Sequence, residues 1–431
     1  MKRILLLITT AAAIATTAAA RQWSLDDCIA YAIDHNIEVR QRIVSQQQGE
    51  LSVTEAKDQF LPQLSGYSSQ NFNFGRALTA DNTYANRNTS SFSVGASLSM
   101  PVFQGLRAIR NLEYSRISLR ALVERTEAAK ENVTLNVIGA YLQALYASEM
   151  LRVANINLAI SNDELARRRQ LLEAGKIPEL DIFEAESQVA RDELSVVNAE
   201  NDSILALVDL SQLLNLPASE EFSVLPLNNG RLPLLDPEEV FANAMQNNHS
   251  IRAGRIEKEA ADKYIDVTRS GYIPTLSLSA GVGTNYYKTS GLDNENFGAQ
   301  MRHNFSKSIG FSLSVPIFDR FGTRNNIRRA KAQAAVTALQ FDDARNNLYK
   351  AITQAYTQAV GAEKNHSAAT HATASAQAAF EAMQVKYNNG RANATEFAKA
   401  KSDYTTALAN EVQAKYEAML RARILDFYNK Q

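Results

Sequence analysis

The chain has 431 residues, and its 45 Lys and Arg are matched by 46 Asp and Glu, a formal net charge of -1 at pH 7. This near-neutral charge does not favour nucleic-acid binding, which needs an excess of basic residues. A single cysteine excludes a disulfide within the chain. After the N-terminal segment no stretch of about 18 apolar residues occurs, so the sequence predicts no transmembrane helix.

The first residues have the pattern of a secretory signal peptide. Two basic residues precede an apolar run, and small residues ending at Ala20 supply a cleavage site. We therefore expect residues 1–20 to be a signal peptide and the mature chain to begin at Arg21. Cys28 lies on a helical pattern without an apolar run directly before it. We expect a buried thiol there, with lipid modification as the alternative.

Two tandem copies of one plan make up the mature chain. Residues 21–215 are repeat 1, residues 216–236 are a linker, and residues 237–431 are repeat 2. The segment Ser-Leu-Ser-x-Pro-[Val/Ile]-Phe occurs in both copies, and each copy has a glycine at the same distance after it. The corresponding sets are Ser97 to Phe103 with Ser312 to Phe318, Gly175 with Gly390, and, further upstream, Ala32, Asn36 and Arg40 with Ala244, Asn248 and Arg252.

Each repeat opens with two helical segments, and a proline follows the second. The hydrophobic period then changes from 3.6 to 2, because apolar residues alternate with Ser and Gly. Each alternating segment has about the length that a tilted strand needs to cross a bilayer. The predicted strands are at about 64–75 and 90–101 in repeat 1, and at about 275–286 and 307–316 in repeat 2.

Four strands leave two open edges, and an open edge has no backbone partners in lipid. Since the smallest filled barrels need about eight strands, several chains must pool their strands. A soluble sandwich packed on the protein's own helices is the alternative, and the signal peptide favours the membrane. Polar loops at 75–89 and 285–306 are expected to face outward.

A proline-free stretch from Leu106 to Leu172 predicts a helix about 100 Å long, beyond the span of one globular core or a bilayer. Its apolar residues recur every seven positions, and the series resumes after Gly175, so the chain turns and returns as a coiled coil. Gly175 and Gly390 are expected in left-handed C-caps. The series comprises Val137, Ala144, Leu151, Leu158, Leu165, Leu172, Ile182, Val189, Val196 and Leu210.

With these features the whole mature chain resembles the TolC family of outer-membrane efflux ducts. The resemblance implies an α+β membrane protein of duplicated units, a homotrimer in outer-membrane lipid. Its four strands per chain would form a twelve-stranded β-barrel, and the long antiparallel coiled-coil helices a periplasmic α-barrel. It also implies an exit duct for a tripartite efflux or type I secretion system, reached from an inner-membrane pump through a periplasmic adaptor protein.

The resemblance places a periplasmic gate near the second turn, where the family has inward-facing acidic residues. The matching positions are Glu396 and Lys399, with Asp181 and Glu184 in repeat 1. Lys399 departs from the acidic pattern, so a mixed ring with ion pairs between subunits is an alternative to an anionic gate. Asn393 and Glu396 also have the spacing of a capping box, a role compatible with gating.

For adaptor docking the resemblance indicates the two turns, and the alternative is that they are plain loop residues. The basic residue after each glycine would also complement the carbonyl groups at the end of the outgoing helix. The docking candidates are Gly175, Lys176, Ile177, Pro178, Gly390, Arg391, Ala392 and Asn393.

Nothing in the sequence predicts an enzyme, a cofactor or a metal site. The five histidines show no ligand spacing, and no phosphate-binding loop or nucleophile elbow occurs. Glu124, Glu127 and Glu131 are interpreted as part of a solvated helix face. Two other functions remain open. One is an envelope-anchored helical scaffold or adhesin without a pore, and the other is a stand-alone porin. The long coiled-coil helices argue against the porin, because a porin does not need them.

Overall fold

The computed structural model describes residues 21–78, 82–217, 222–227 and 236–430. The predicted signal peptide and part of the linker lie outside these residues. The first copy contains β1 (Arg21–Trp23), α1 (Leu25–His35), α2 (Ile37–Asp58), β2 (Gln63–Asn73), β3 (Arg76–Leu78), β4 (Tyr84–Asn86), β5 (Thr89–Gln104), α3 (Arg107–Glu173) and α4 (Glu179–Leu214).

The second part contains β6 (Phe222–Val224), α5 (Pro237–Asn247), α6 (His249–Arg269), a 3-10 turn (Ser270–Tyr272), β7 (Thr275–Thr289), α7 (Phe297–His303), β8 (Ser306–Ser314), α8 (Gly322–Asn388) and α9 (Ala394–Lys430). None of the helices in this described part of the chain has a stretch long and apolar enough to cross a membrane.

The two copies agree in element length and in strand register. Helices α3 and α8 both have 67 residues, and α1 and α5 both have 11. In the first copy Gln63 pairs with Ser99, and in the second the corresponding residues Thr275 and Ser314 pair. A duplicated unit therefore accounts for the fold at the level of single residues.

The chain divides into two compact units, whose boundaries lie within helices. The first unit comprises the chain up to Gln41, Ala129–Ala244 and the chain from Leu348. At one end of it β1 pairs in parallel with β6 over a core that buries Trp23 and Tyr141. The Tyr141 hydroxyl donates to the Trp23 carbonyl at 3.0 Å and to the Leu225 carbonyl at 2.6 Å, and burial raises the pKa of this phenol to about 12.

Cys28 lies in the same core with no exposed surface, as predicted for a buried thiol. The cause is local, since Ser24 and Asp27 form a capping box that starts α1 and turns its apolar face to α3 and α4. The described part of the linker packs here too, because Phe222, Val224 and Leu227 contact the core. The linker residues from Leu232 to Leu235 lie outside the described residues.

The second unit comprises Arg42–Ala128 and Met245–Asn347 and contains an antiparallel sheet in the order β2-β5-β7-β8. Small residues let the strands approach closely: a Cβ added at Gly95 would meet the Val282 carbonyl oxygen at 2.6 Å. The described parts of the two predicted loops contain regular structure. The first contains the β3–β4 hairpin, and the second contains α7 and begins only after β7 has continued to Thr289.

One prediction about a helix surface is wrong. Glu124 is not on a solvated face, because its carboxylate is 2.7 Å from His249 Nδ1 and 2.7 Å from Arg252 Nη2, and its side chain is largely covered. Both partners lie on α6. Helical spacing within α3 could not reveal them, since they are more than a hundred residues away along the chain.

Candidate functional site: the two helical tips

Each long helix ends at a glycine turn of the same geometry. Gly175 and Gly390 have φ of +68° and +69°, the left-handed conformation that glycine adopts without strain. At the first tip the Gly175 and Lys176 amides donate to the Leu172 and Leu171 carbonyls at 2.8 and 2.9 Å. At the second tip the Gly390 and Arg391 amides donate to the Tyr387 and Lys386 carbonyls at 3.1 and 2.9 Å. The unpaired carbonyls at both helix ends are thus satisfied.

The turns are open surfaces with one anchored residue each. Apart from the glycine and its two neighbours in the chain, no described residue has an atom within 4 Å of a Cβ built on Gly175 or Gly390. Ile177 is half-buried against the first hairpin's core, and Ala392 against the second's. The other docking candidates, Gly175, Lys176, Pro178, Gly390, Arg391 and Asn393, are exposed. Each turn therefore presents a fixed backbone with accessible side chains.

An apolar seam holds the first hairpin, α3–α4, together. Leu165 on α3 packs with Ile182, Ala185 and Val189 on α4, and Leu158 and Leu172 lie against this cluster. All of these except Ala185 belong to the seven-residue series, so the predicted coiled-coil seam is confirmed at the tip.

Aromatic rings hold the second tip, α8–α9. The Tyr387 and Phe397 rings stack with centroids 4.7 Å apart, and the Phe380 and Tyr404 rings stack at 5.5 Å. This cluster was not predicted. The aromatic residues at positions 380, 387, 397 and 404, seven apart on each helix, are the sequence signal that could have shown it.

The two hairpins are joined by a polar cluster around Tyr387. Its hydroxyl donates to Glu164 Oε1 at 2.5 Å, and Arg167 donates to the Tyr387 carbonyl at 2.6 Å with its guanidinium 4.1 Å from the ring centroid. Arg168 bonds the same Glu164 carboxylate at 2.7 Å and the Asp181 carbonyl at 3.0 Å. Burial, and then the bond to Glu164, raises the pKa of Tyr387.

A buried ion pair lies further from the turns. Lys401 Nζ on α9 is 3.1 Å from Asp192 Oδ2 on α4, with the side chains only 11% and 6% exposed. Asp192 also accepts from Asn157 and Gln188 at 2.9 Å each, and Ser161 bonds both charged groups. Asp192 lies three positions after Val189 and seven after the buried Ala185, on the side of α4 that packs in the hairpin, and an acid at such a position is the overlooked signal.

The gate candidates lie in the first turns of the returning helices. The Asn393 amide donates to Glu396 Oε2 at 3.0 Å and the Glu396 amide donates to Asn393 Oδ1 at 2.8 Å, so the predicted capping box exists. Glu184, Glu396 and Lys399 are exposed and Asp181 is half-buried. Among the described residues no hydrogen bond or ion pair joins Asp181 or Glu184 to Glu396 or Lys399.

A cavity of about 500 Å³ opens beside these turns, between α3, α4 and α9. Glu184 lines it, with Glu164 and Arg168 on one side and Lys401 at its base. Two exposed apolar side chains, Leu180 and Phe183, stand at its rim. Because its wall combines both charge signs with apolar surface, it suits a protein surface better than a small anion or cation. In the rest of the described chain too, no group of three or more His, Cys, Asp or Glu has metal-binding geometry.

Curated proteins similar in sequence include proteins of the outer membrane. The chain is 22% identical over 374 residues to the outer membrane efflux protein BepC of Brucella suis, covering 87% of this chain and 78% of that protein. It is 24% identical over 378 residues to the outer membrane protein TolC of Vibrio cholerae, covering 86% and 82%.

Solved structures of outer-membrane channels share the fold. The channel OprN superposes with a TM-score of 0.78 at 19% identity, covering 94% of this chain and 89% of OprN. The Campylobacter jejuni channel CmeC superposes with a TM-score of 0.80 at 15% identity, covering 94% and 85%. The family model described as outer membrane efflux protein matches residues 29–216 and 240–425, one block in each copy. The chain therefore belongs to the outer membrane efflux protein family.

Proposed function

We propose that three copies of this chain form the exit duct of a tripartite efflux or type I secretion system. An inner-membrane pump and a periplasmic adaptor protein would deliver the substrate, and the duct would pass it to the exterior. The observation that carries this proposal is the pair of helical tips, which have the same left-handed glycine turn and an exposed basic residue directly after the glycine in both repeats. Each subunit would present two similar docking surfaces, one at each hairpin tip. This arrangement suits an adaptor that binds every hairpin in the ring formed by the three subunits.

Passage through such a duct needs no catalytic step. The sheet alternates apolar residues with Ser and Gly, so one face can hold water while the other meets lipid. A polar or amphiphilic solute then crosses without losing its hydration. Substrate selection would lie with the pump, and within the described residues no group of three or more His, Cys, Asp or Glu forms a metal site that would select a substrate.

The gate would use the charges at the first turns of α4 and α9. Four charged residues form no ion pair with one another or with other residues of the described chain: Asp181, Glu184, Glu396 and Lys399. Their charges are therefore available to neighbouring subunits. Glu396 can cap α9 and still face a neighbour, because the cap uses one carboxylate oxygen. A ring that alternates Glu396 with Lys399 would close by attraction between subunits rather than by repulsion.

Replacing the turn glycines tests the docking role. Valine at Gly175 or Gly390 meets no atom but must adopt a left-handed conformation that costs roughly 1–2 kcal/mol, so the turn should change shape. Expressed in a strain that lacks its own duct, G175V and G390V should abolish export while trimers still reach the outer membrane. The matched control is G361V, the same change within α8 at a glycine that also has open space. Unchanged export in both turn variants would refute the docking role.

Conductance in planar bilayers tests the gate separately. The double variant E396Q/K399Q should open more often than the native protein, since the attraction between subunits is lost. A control at Glu381 and Lys386, exposed residues on α8, removes the same charges outside the proposed ring. Equal conductance of the native protein and E396Q/K399Q would contradict a role for Glu396 and Lys399 in the gate.

A further inference from the structure

We propose that each junction between two subunits binds the phosphate headgroup of a membrane lipid, through Lys307 of one subunit and Arg76 of the next. The site lies at the end of the sheet away from the long helices, on the side that meets lipid. The inference deepens the proposed trimer and rests on it, because the two residues belong to opposite edges of the sheet of one chain.

Strand pairing assigns Lys307 and Lys288 to the lipid side of the sheet. Lys307 pairs with Val282, and Lys288 lies further along β7 on the same face as Val282. The apolar residues of this face in β7 and β8 are Leu276, Leu278, Ala280, Val282, Ile309, Phe311 and Leu313. The apolar series of each strand therefore ends in a lysine.

The length of the series in β7 places its lysine at the level of lipid headgroups. At about 3.4 Å per residue and a strand tilt of about 40°, the segment from Leu276 to Lys288 rises roughly 30 Å across the membrane. The apolar band of such a barrel is about 25 Å tall, and a lysine in the middle of that band is costly. The amino group therefore lies among headgroups and not among acyl chains.

The cations at this end of the sheet have no acidic partner in their own chain. Lys307, Lys288 and Arg76 are exposed, and none of them forms an ion pair with a described residue. Lys307 Nζ is 5.8 Å from the centroid of the Phe305 ring, and the Arg76 guanidinium is 5.3 Å from that of Tyr84. A ring face attracts a cation but does not neutralise it. These charges are thus available to an external anion.

Basic residues are in excess at this end of a chain whose net charge is only -1. In the described parts of the two loops and the strand ends beside them, the basic residues are Arg76, Arg87, Lys288, Arg302 and Lys307, and the acidic ones are Asp293 and Glu295. Glu295 already pairs with His303 at 2.9 Å. This local excess of positive charge indicates a negatively charged partner.

The internal duplication brings Lys307 and Arg76 together. Within one chain β5 pairs with β7, whereas the corresponding strands β8 and β2 are edge strands, open to other subunits. The correspondence is Phe92 with Lys307, Tyr286 with Phe74, Ser90 with Phe305 and Lys288 with Arg76. In the same register Lys307 lies opposite Phe74 of the neighbouring subunit, and Arg76 is its diagonal neighbour at about 7–8 Å. Two cations this close repel each other unless an anion lies between them.

The junction within the chain shows how the corresponding surface is covered when it carries no charge. Phe92 and Tyr286 contact Phe297 of α7, with ring centroids 5.8 and 5.1 Å apart. Between subunits Lys307 takes the place of Phe92, and the loop after β2 has no helix among its described residues. Phe74 is 79% exposed. Apolar surface that ends in two cations suits a molecule with acyl chains and an anionic headgroup, which is a phospholipid.

Lipid binding to the full-length trimer tests the site. Native mass spectrometry of the detergent-extracted protein, titrated with dioleoylphosphatidic acid, should show one tightly bound lipid per subunit. Dioleoylphosphatidylcholine, which has the same chains and no net charge, should bind more weakly. In K307Q/R76Q the affinity for phosphatidic acid should fall on the order of 10-fold, because charge-assisted hydrogen bonds to the phosphate are lost.

Two control variants separate a built site from a diffuse basic rim. K288Q/R302Q removes the same charges at the same end of the sheet but outside the junction. R328Q/K331Q removes them from exposed positions on α8. Both should change the affinity by less than about 2-fold.

Four results would overturn the site. They are an unchanged affinity in K307Q/R76Q, an equal loss in K288Q/R302Q, equal binding of the two lipids, and displacement of phosphatidic acid by millimolar inorganic phosphate, which would assign the cations to a free anion. A monomer in the same spectra would overturn the proposed assembly, whereas a trimer without bound lipid would overturn only the lipid site.

Fluorescence gives a local measurement that a folding defect does not imitate. Trp23 is the only tryptophan and is buried in the core of the first unit, so a tryptophan introduced at Phe74 reports on the junction. Phosphatidic acid with brominated chains should quench F74W more strongly than brominated phosphatidylcholine, and this difference should disappear in F74W/K307Q. Equal quenching of F74W by the two lipids would contradict recognition of the phosphate.

Discussion

Replacing Lys401 with methionine should loosen the contact of α9 with α4. The side chain keeps its length but loses its charge, and Asp192 stays buried without a counter-ion. Breaking a buried pair on one side costs about 3–5 kcal/mol. Asp192 retains the donors Asn157, Gln188 and Ser161, so the lower end applies, about 3 kcal/mol, which is on the order of a 100-fold change in an opening equilibrium.

Hydrogen exchange measured by mass spectrometry reports this opening locally, which matters because a large membrane assembly does not unfold in two states. Amides in the turns of α9 around Lys401 should exchange on the order of 100-fold faster in K401M. The matched control is D192N/K401M, which removes both charges and should recover most of the protection, since replacing a whole buried pair is often neutral.

Two results would refute this reasoning. Unchanged exchange in K401M would show that the pair contributes nothing to holding α9. Exchange in D192N/K401M as fast as in K401M would show that the loss of the lysine's packing, and not the unpaired carboxylate, is responsible.

Two further predictions concern buried polar groups. Burial raises the pKa of the Cys28 thiol from 9.0 to about 12, so the contribution of this thiol to stability is complete below pH 9 and is lost as the pH rises to about 12. At pH 8 a maleimide should label Cys28 only after denaturation. Rapid labelling of the folded protein would contradict the burial. Tyr387→Phe should cost about 1–2 kcal/mol of stability through the lost hydrogen bond to Glu164, and Tyr387→Ala about 3–5 kcal/mol because the stacking on Phe397 is lost too. Hydrogen exchange of the amides from Asn388 to Arg391 measures both effects. Equal effects of the two substitutions would contradict a separate role for the hydroxyl.

Local chemistry explains which features of the fold could be predicted from the sequence. Alternation of apolar residues with Ser and Gly predicts strands, and a glycine after a seven-residue series predicts the turn at Gly175, because both depend on residues close together in the chain. The capping box at Asn393 could be predicted for the same reason.

Contacts between distant segments could not be predicted in this way. Lys401 and Asp192 are 209 residues apart, and the sequence near either residue does not indicate the other as its partner. Glu124 was misinterpreted because its partners come from α6. An acid on the buried side of a helix, such as Asp192, shows only that some partner must exist. The identity of that partner depends on how the hairpins are placed by the rest of the fold.

The equal length of α3 and α8 restricts how this protein can change during evolution. Both helices have 67 residues, so each turn glycine follows the first residue of its helix by the same number of residues. Losing seven residues from one copy alone would withdraw its turn by about 10 Å and leave a notch in any ring of tips. An insertion or deletion in one helix is therefore tolerated only when the other changes equally, and such paired length changes would adapt the duct to envelopes of different depth.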